Sequence, residues 1–227
     1  MMKDGYRHEY KFLISAAGAE LLKRRLPTVM ARDPYAGPTG QYTIRSLYFD
    51  DRDYTAYDDK MSGVSDRVKY RIRYYNYDTS VIKLEKKEKH GGLTRKTGKR
   101  ITLADALHLE SCGGGDCPDT KGTLLTELRL GIACGLKPAI LVDYDRTPFV
   151  CSAGQTRITL DENIRTKPYH AELLASEKAM VPVLEPDQVV LEVKFNDFLP
   201  GYLSDALADI PKVNLAISKY VLCLNTI

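Results

Sequence analysis

Lys69, Arg71 and Arg73 stand two residues apart in a run that alternates with Val68, Tyr70, Ile72 and Tyr74. A little further on, Lys83, Glu85, Lys87 and Lys89 alternate around Ile82 and Leu84. Side chains two apart on an extended chain point the same way, so each run has one apolar and one charged face. The charged faces carry far more cations than carboxylates. Guanidinium and ammonium groups clamp phosphate oxygens, and carboxylates among them can hold a divalent metal that also bridges phosphates. Phosphoryl transfer needs little beyond such positioning and neutralisation.

The same pattern recurs along the chain. Arg7, Glu9 and Lys11 alternate with His8, Tyr10 and Phe12; Arg157 and Asp161 with Ile158 and Leu160; Glu192 and Lys194 with Leu191, Val193 and Phe195. Arg146 follows the apolar run 139–142, after Tyr144. Arg45 joins the set on the opposite parity from Ser46. A single charged strand face is ordinarily solvated. Like charges directly across a strand pair are destabilising, however, and repetition over several strands points to anions held between them. His8 and His90 are not expected to be catalytic, and Tyr70 and Tyr74 read as core.

The elements that position these residues are strands. The run 66–75, the turn around Asn76 and Asp78, and the run 81–89 form a hairpin. Further strands are expected at 7–14, 41–50, 137–150, 156–161 and 189–195. Gly91-Gly92 turns the chain into the basic stretch 93–101. Helices are expected after Ser15, a cap residue, and at about 54–61, 103–110, 124–134, 202–210 and 215–223. Residues 111–122, small and polar, read as a loop. Strands with one charged face satisfy both faces if the sheet curls into a closed barrel with helices outside, and closure also removes exposed edges. The expected fold is therefore α+β: one domain over 1–227, a closed antiparallel barrel with its charged face inward.

The composition fits a globular protein: 227 residues, 44% hydrophobic and 28% charged. The net charge of +3 does not favour a general nucleic-acid binder. The first six residues hold no apolar signal core, and no run reaches membrane-spanning length. Five cysteines in no disulfide or zinc spacing fit free thiols in a cytoplasmic protein.

Eight short motifs together resemble a known family. They are Arg-x-Glu-x-Lys-Phe from Arg7, Ser-Leu-Tyr-Phe-Asp from Ser46, Arg-x-Arg-Tyr from Arg71 and Leu-Glu-x-Lys from Leu84. Tyr-x-Arg from Tyr144, Arg-Ile-Thr-Leu-Asp from Arg157, Leu-Glu-Val-Lys from Leu191 and Ser-Lys-Tyr from Ser218 follow in order. The series is similar to the polyphosphate polymerase domain of the vacuolar transporter chaperone (VTC) complex, among the triphosphate tunnel metalloenzymes. The resemblance implies an eight-stranded antiparallel tunnel. It also implies ATP as donor, polyphosphate as product, and Mn²⁺ or Mg²⁺ as cofactor.

By motif, Lys11, Arg71, Arg73, Lys87, Arg146, Arg157 and Lys219 match phosphate-binding positions, and Tyr144 and Ser218 supporting ones. Arg7, Lys69, Lys83 and Lys194 join them as cationic support. Glu192 matches the metal glutamate, with Glu9, Glu85 and Asp161 as further metal candidates. The related triphosphatase and cyclase branch begins Glu-x-Glu-x-Lys; Arg7 here replaces the first carboxylate and favours the polymerase branch. Three functions are carried forward: ATP-dependent polyphosphate synthesis, hydrolysis of tri- or polyphosphate, and non-catalytic sensing of polyphosphate or nucleotide. Partners on this reading are ATP, triphosphate, polyphosphate and pyrophosphate. Nucleic acid is not among them, and a membrane partner stays open.

Overall fold

The computed structural model describes residues 7–91, 93–111, 123–167, 171–214 and 218–226. Cys112, Cys117 and the loop expected to Gly122 lie outside the described residues, as do the first six residues and Leu215 of the expected last helix. In chain order the elements are β1 (His8–Ser15), α1 (Ala16–Arg25), β2 (Ala31–Arg32), β3 (Tyr42–Asp50), α2 (Thr55–Met61), β4 (Arg67–Tyr75), β5 (Asp78–His90) and β6 (Leu93–Ile101). There follow α3 (Leu103–Ser111), α4 (Leu124–Ala133), β7 (Lys137–Cys151), β8 (Thr156–Lys167), β9 (Val181–Pro182), β10 (Gln188–Phe195), α5 (Gly201–Ala208), β11 (Val213–Asn214) and α6 (Lys219–Leu224).

Local chemistry sets several of these boundaries. The Ser15 hydroxyl accepts from the Gly18 amide and starts α1. Asn76 and Tyr77, both at positive φ, make the two-residue turn between β4 and β5, a geometry that matches the twist of the flanking strands. Tyr75 therefore pairs with Asp78, and Arg71 stands opposite Glu85.

All strands join one antiparallel sheet in the order β11-β1-β10-β8-β7-β3-β4-β5-β6, with β2 added on β7 and β9 on β8. The expected antiparallel α+β fold is present, but two details differ. Among the described residues the sheet has eleven strands rather than eight, and no continuous ladder closes it into a barrel. Among the described residues, the sole backbone link between the β1 and β6 sides of the sheet is an isolated bridge from Arg7, just before β1, to Thr94 of β6. At Phe12 and Leu13 the free edge of β1 is taken by β11 instead. That part of the edge is thus paired without β6.

Helices cover the outer face. Leu22 of α1 and Leu203 and Leu207 of α5 pack with Leu160, Leu191 and Phe195. Leu109 of α3 and Leu128 and Ile132 of α4 pack with Ile72, Tyr74, Ile82 and Leu84. The inner face is not wholly charged. Val221 and Cys223 of α6 pack with Ile140, Val142, Ile164 and Val190, so an apolar plug occupies part of the interior beside the charged part. Burial of such side chains is the main stabilising term. None of the three described cysteines is in a disulfide. No helix among the described residues is long and apolar enough to cross a membrane.

Candidate functional site: a cationic cavity inside the sheet

Strand alternation turns the inner side chains of β1, β3, β4, β5, β7, β8 and β10 toward one cavity of about 180 Å³. Among the described residues, eleven Lys and Arg side chains line it against two carboxylates, Glu9 and Glu192. The expected Arg7, Lys11, Lys69, Arg71, Arg73, Lys87, Tyr144, Arg146, Arg157, Lys194, Ser218 and Lys219 are all on its wall.

Four expected residues are not on that wall. Lys83 has the right parity but lies at the exposed start of β5, its Nζ 5.5 Å from the centre of the Tyr75 ring. Glu85 and Asp161 are buried behind the lining and hold its cations. Glu85 accepts from Arg71 Nε at 2.7 Å and lies 2.5 Å from Lys96 Nζ. Asp161 takes a two-pronged contact from Arg146, at 2.6 and 2.7 Å, and lies 2.5 Å from Lys219. Arg45 points out of the interior altogether. It forms a buried two-pronged pair with Asp143 at 2.9 and 2.7 Å and donates to the Ala175 carbonyl. Its parity opposite Ser46 sends it into the outer layer, where a charge persists only if paired.

Lys96 of β6 lines the cavity without having been singled out. Its strand carries Arg95, Lys96, Lys99 and Arg100, cations on both faces, so alternation gives no direction. Only the register of the hairpin, with Lys87 opposite Lys96, shows which of them turns inward. Tyr42, Tyr48 and Tyr220 also reach the wall. Arg71 donates to the Tyr48 hydroxyl at 2.9 Å, and Arg73 donates to Ser46 Oγ at 2.9 Å and to the Tyr144 hydroxyl at 3.0 Å. The Tyr144 ring in turn faces Arg146 and Lys219 at 5.2 and 4.8 Å, distances at which a ring quadrupole attracts a cation.

The two lining carboxylates are shared among several cations. Glu9 lies 2.7 Å from Lys87, 3.4 Å from Lys11 and 3.5 Å from Lys194. Glu192 lies 2.7 Å from Lys194, 3.2 Å from Arg146 and Lys219, and 3.8 Å from Lys11. Burial works to raise both carboxyls, but these cations outweigh it and hold each well below the usual carboxylate range. Burial likewise works to lower Lys11 and Lys219, and the carboxylates beside them hold both above the ordinary lysine value.

Lys69 differs from these. Its Nζ is buried with no hydrogen-bond partner among the described residues, and sits 4.2 Å from the centre of the Tyr220 ring. Burial pushes it down to about 7, Asp50 opposing and Arg67, Lys11 and Lys60 adding to the fall. An unpaired buried ammonium is costly. In this wall it is a cation without its anion.

The short helix α6 brings Lys219 to the cavity. The Ser218 hydroxyl accepts from the Val221 amide at 3.4 Å and caps it. The Tyr220 hydroxyl donates to Asp50, which also accepts from the Ala56 and Tyr57 amides at 3.0 and 3.2 Å. Asp50 thereby ties α6 to the start of α2 and fixes where Lys219 points.

Among the described residues no three or more His, Cys, Asp or Glu side chains gather as a metal cage. Glu9 and Glu192, which share Lys11 and Lys194, are nevertheless two carboxylates facing one phosphate-sized space. That donor set suits Mg²⁺ or a similar ion held by one or two carboxylates together with phosphate oxygens.

The fold and site define an antiparallel sheet protein with a strongly cationic interior cavity. The chain belongs to the VTC domain family, matched over residues 6–227. No curated protein matches it. Solved structures similar to it include a Bacillus halodurans protein described as a candidate adenylate cyclase, at 17% identity and TM-score 0.46, covering 90% of this chain and 88% of that one. PH1819 from Pyrococcus horikoshii OT3 follows at 13% identity and TM-score 0.47, with 96% and 99% covered. The inorganic triphosphatase NE1496 is similar at 14% identity and TM-score 0.34, with 96% and 97% covered. None is near enough for its activity to pass to this chain.

Proposed function

We propose that this protein moves the γ-phosphoryl group of ATP onto the end of a growing polyphosphate chain held in the cavity. The observation that carries the reading is the excess of eleven cations over two carboxylates in a cavity of about 180 Å³. Few ligands other than a compact polyanion would neutralise it. The space is also below the roughly 300 Å³ lower bound of sites that enclose whole drug-sized ligands. A short run of phosphates suits it better than an enclosed nucleotide. Membership of the VTC domain family supports the same reading.

In the transfer, the bond between the γ-phosphorus and the bridging oxygen breaks, ADP leaves, and a terminal phosphate oxygen of the chain forms the new bond. Arg71 and Arg73 keep neighbouring phosphates in line, and Lys219 and Arg146 face the charge that spreads over the transferring group. No His or Cys among the described residues lines the cavity. An anionic phosphate acceptor needs none, since it has no proton to give up. Water would need a base, and Glu9 and Glu192, held low by their cations, are weak ones. That favours phosphate over water as acceptor. A divalent metal on Glu9 and Glu192 would neutralise phosphate oxygens and help align donor with acceptor.

The test is incubation with ATP and Mn²⁺ or Mg²⁺, products resolved by length on a gel. The reading expects a ladder of polyphosphate with ADP in step. Release of phosphate from tripolyphosphate with no ladder from ATP would make the protein a hydrolase. Tight binding with no turnover would make it a sensor.

A further inference from the structure

The phosphoryl transfer uses no chemistry of Lys69, and the fold leaves this side chain unsatisfied. Its Nζ is buried with no hydrogen-bond acceptor among the described residues. It rests over the Tyr220 ring, whose hydroxyl is engaged by Asp50. The side chain lines both the inner cavity and a compartment of about 320 Å³ beside it. Lys11 of β1, Arg67 of β4 and Lys60 of α2 act on it as like charges, and Asp50 of β3 opposes them. Lys87 and Lys89 of β5 share the compartment, as does Glu9 of β1, but Glu9 is engaged with Lys87, Lys11 and Lys194. Burial first, then the like charges, push the ammonium down to about 7. A desolvated lysine beside other cations is a nucleophile near neutral pH.

The same surroundings select the electrophile. A phosphorylated one would bring negative charge, return the proton to Nζ and silence its lone pair. An uncharged electrophile leaves the amine free, and one that becomes anionic on reaction is then stabilised by the very cations that discharged the amine. Carbon dioxide meets both conditions, and it is small enough to reach a buried nitrogen. We propose that Lys69 is a modification site for carbon dioxide, held as a carbamate on Nζ. The lone pair of the neutral amine attacks the carbon and forms a C–N bond, a C–O π pair moves onto oxygen, and a proton leaves the nitrogen for solvent. No oxidant, reductant or other co-reactant is needed. The wall then carries an anion where it carried an unpaired cation, with Lys11, Lys60 and Arg67 as its partners. Carbamate and phosphate compete for those cations, so carbon dioxide regulates anion binding. The carbamate itself does not depend on the proposed function, since it forms without nucleotide or metal.

The experiment is carbon NMR of the full ¹⁵N-labelled chain in ¹³C-labelled bicarbonate, which supplies dissolved carbon dioxide, at mildly alkaline pH. A carbamate carbon bonded to ¹⁵N gives a resonance split by that nitrogen. Wild-type protein should show it and Lys69→Met should lose it. Lys178→Met, which removes an amine that lines neither space, should keep it. Carbamates on other amines persist in both variants. Bound tripolyphosphate should remove the Lys69 resonance. In calorimetry at matched ionic strength, saturating bicarbonate should weaken tripolyphosphate binding by about tenfold or more in the wild type and leave Lys69→Met unmoved. Alkylation of the carbamate followed by peptide mass spectrometry locates it in the wild-type chain without any variant. A wild-type spectrum no different from that of Lys69→Met would overturn the inference. So would a Lys69 resonance that bound tripolyphosphate leaves in place, because the competition for cations would then be absent. A protein that shows the resonance and binds no tripolyphosphate keeps the carbamate and loses the proposed function.

Discussion

Lys69 Nζ lies over the Tyr220 ring, 4.2 Å from its centre, buried and without a hydrogen-bond acceptor among the described residues. Every other lysine on the inner wall is within ion-pair distance of a carboxylate, from Lys96 at 2.5 Å to Lys11 at 3.4 Å. One ammonium between β4 and α6 is thus left unpaired among the described residues. A buried group left unsatisfied costs about 1–3 kcal/mol. Lys69→Met should therefore raise the melting temperature of the ligand-free protein while lowering triphosphate affinity about tenfold or more. Gain and loss have opposite signs, which calorimetry and thermal melting read separately. A variant that loses stability would place Lys69 in an ordinary structural role.

The same residue contributes to a pH dependence, as does Lys87, which burial also pushes down to about 7. Lys69 is pushed down to about 7 by burial, against an ordinary lysine value of about 10.4. Between those values the unfolded chain binds a proton that the folded, ligand-free protein does not. Its contribution to stability therefore rises with pH across that window. Anion binding runs the other way. Phosphate favours the charged ammonium, so affinity should fall as pH rises through about 7, and binding near neutral pH should take up a proton. Titrations in buffers of different ionisation enthalpy measure that uptake, and Lys69→Met should reduce it.

Arg73 uses two of its nitrogens on Ser46 and Tyr144. Arg71 uses three on Glu85 and Tyr48. Lysine supplies the charge but cannot reproduce a rigid fork. Arg71→Lys and Arg73→Lys should each cut turnover by about tenfold to a hundredfold at constant net charge. Tyr74→Phe removes a hydroxyl that donates to the Leu173 carbonyl on the outer side. It should cost about 1 kcal/mol of stability and leave chemistry nearly unchanged. Silent Arg→Lys changes would describe a solvated strand face rather than a binding wall.

Glu192 is surrounded by Lys11, Arg146, Lys194 and Lys219. Glu192→Gln should lower stability by about 3–5 kcal/mol, the usual cost of breaking a buried pair from one side. With chelator present, the freed cations should bind triphosphate at least as tightly as in the wild-type protein. Turnover should nevertheless be lost if this carboxylate holds the metal. Wild-type turnover in the variant, or in excess chelator, would remove the metal role. Weaker metal-free binding would make Glu192 an organiser of the four cations rather than a ligand held among them.

Much of this arrangement was legible in the chain itself. Alternation is a local property, because neighbouring side chains on a strand must point to opposite faces. Lys69, Arg71 and Arg73 could therefore be grouped on one face of β4, and Glu192 with Lys194 on one face of β10, before any strand had a neighbour. Ser15 as a cap and Asn76 in the tight turn are local for the same reason. What lies across a strand is not local. Only the packed sheet sent Arg45 outward to Asp143, set Glu85 and Asp161 behind Arg71 and Arg146, and turned Lys96 inward opposite Lys87. The edge was decided there too: β11 takes the edge of β1 at Phe12 and Leu13, and among the described residues β6 is bridged on that side at Arg7, just before β1, through Thr94. Pairing and register join residues distant in sequence, and the hydrogen bonds and ion pairs that select them exist only once the strands are side by side.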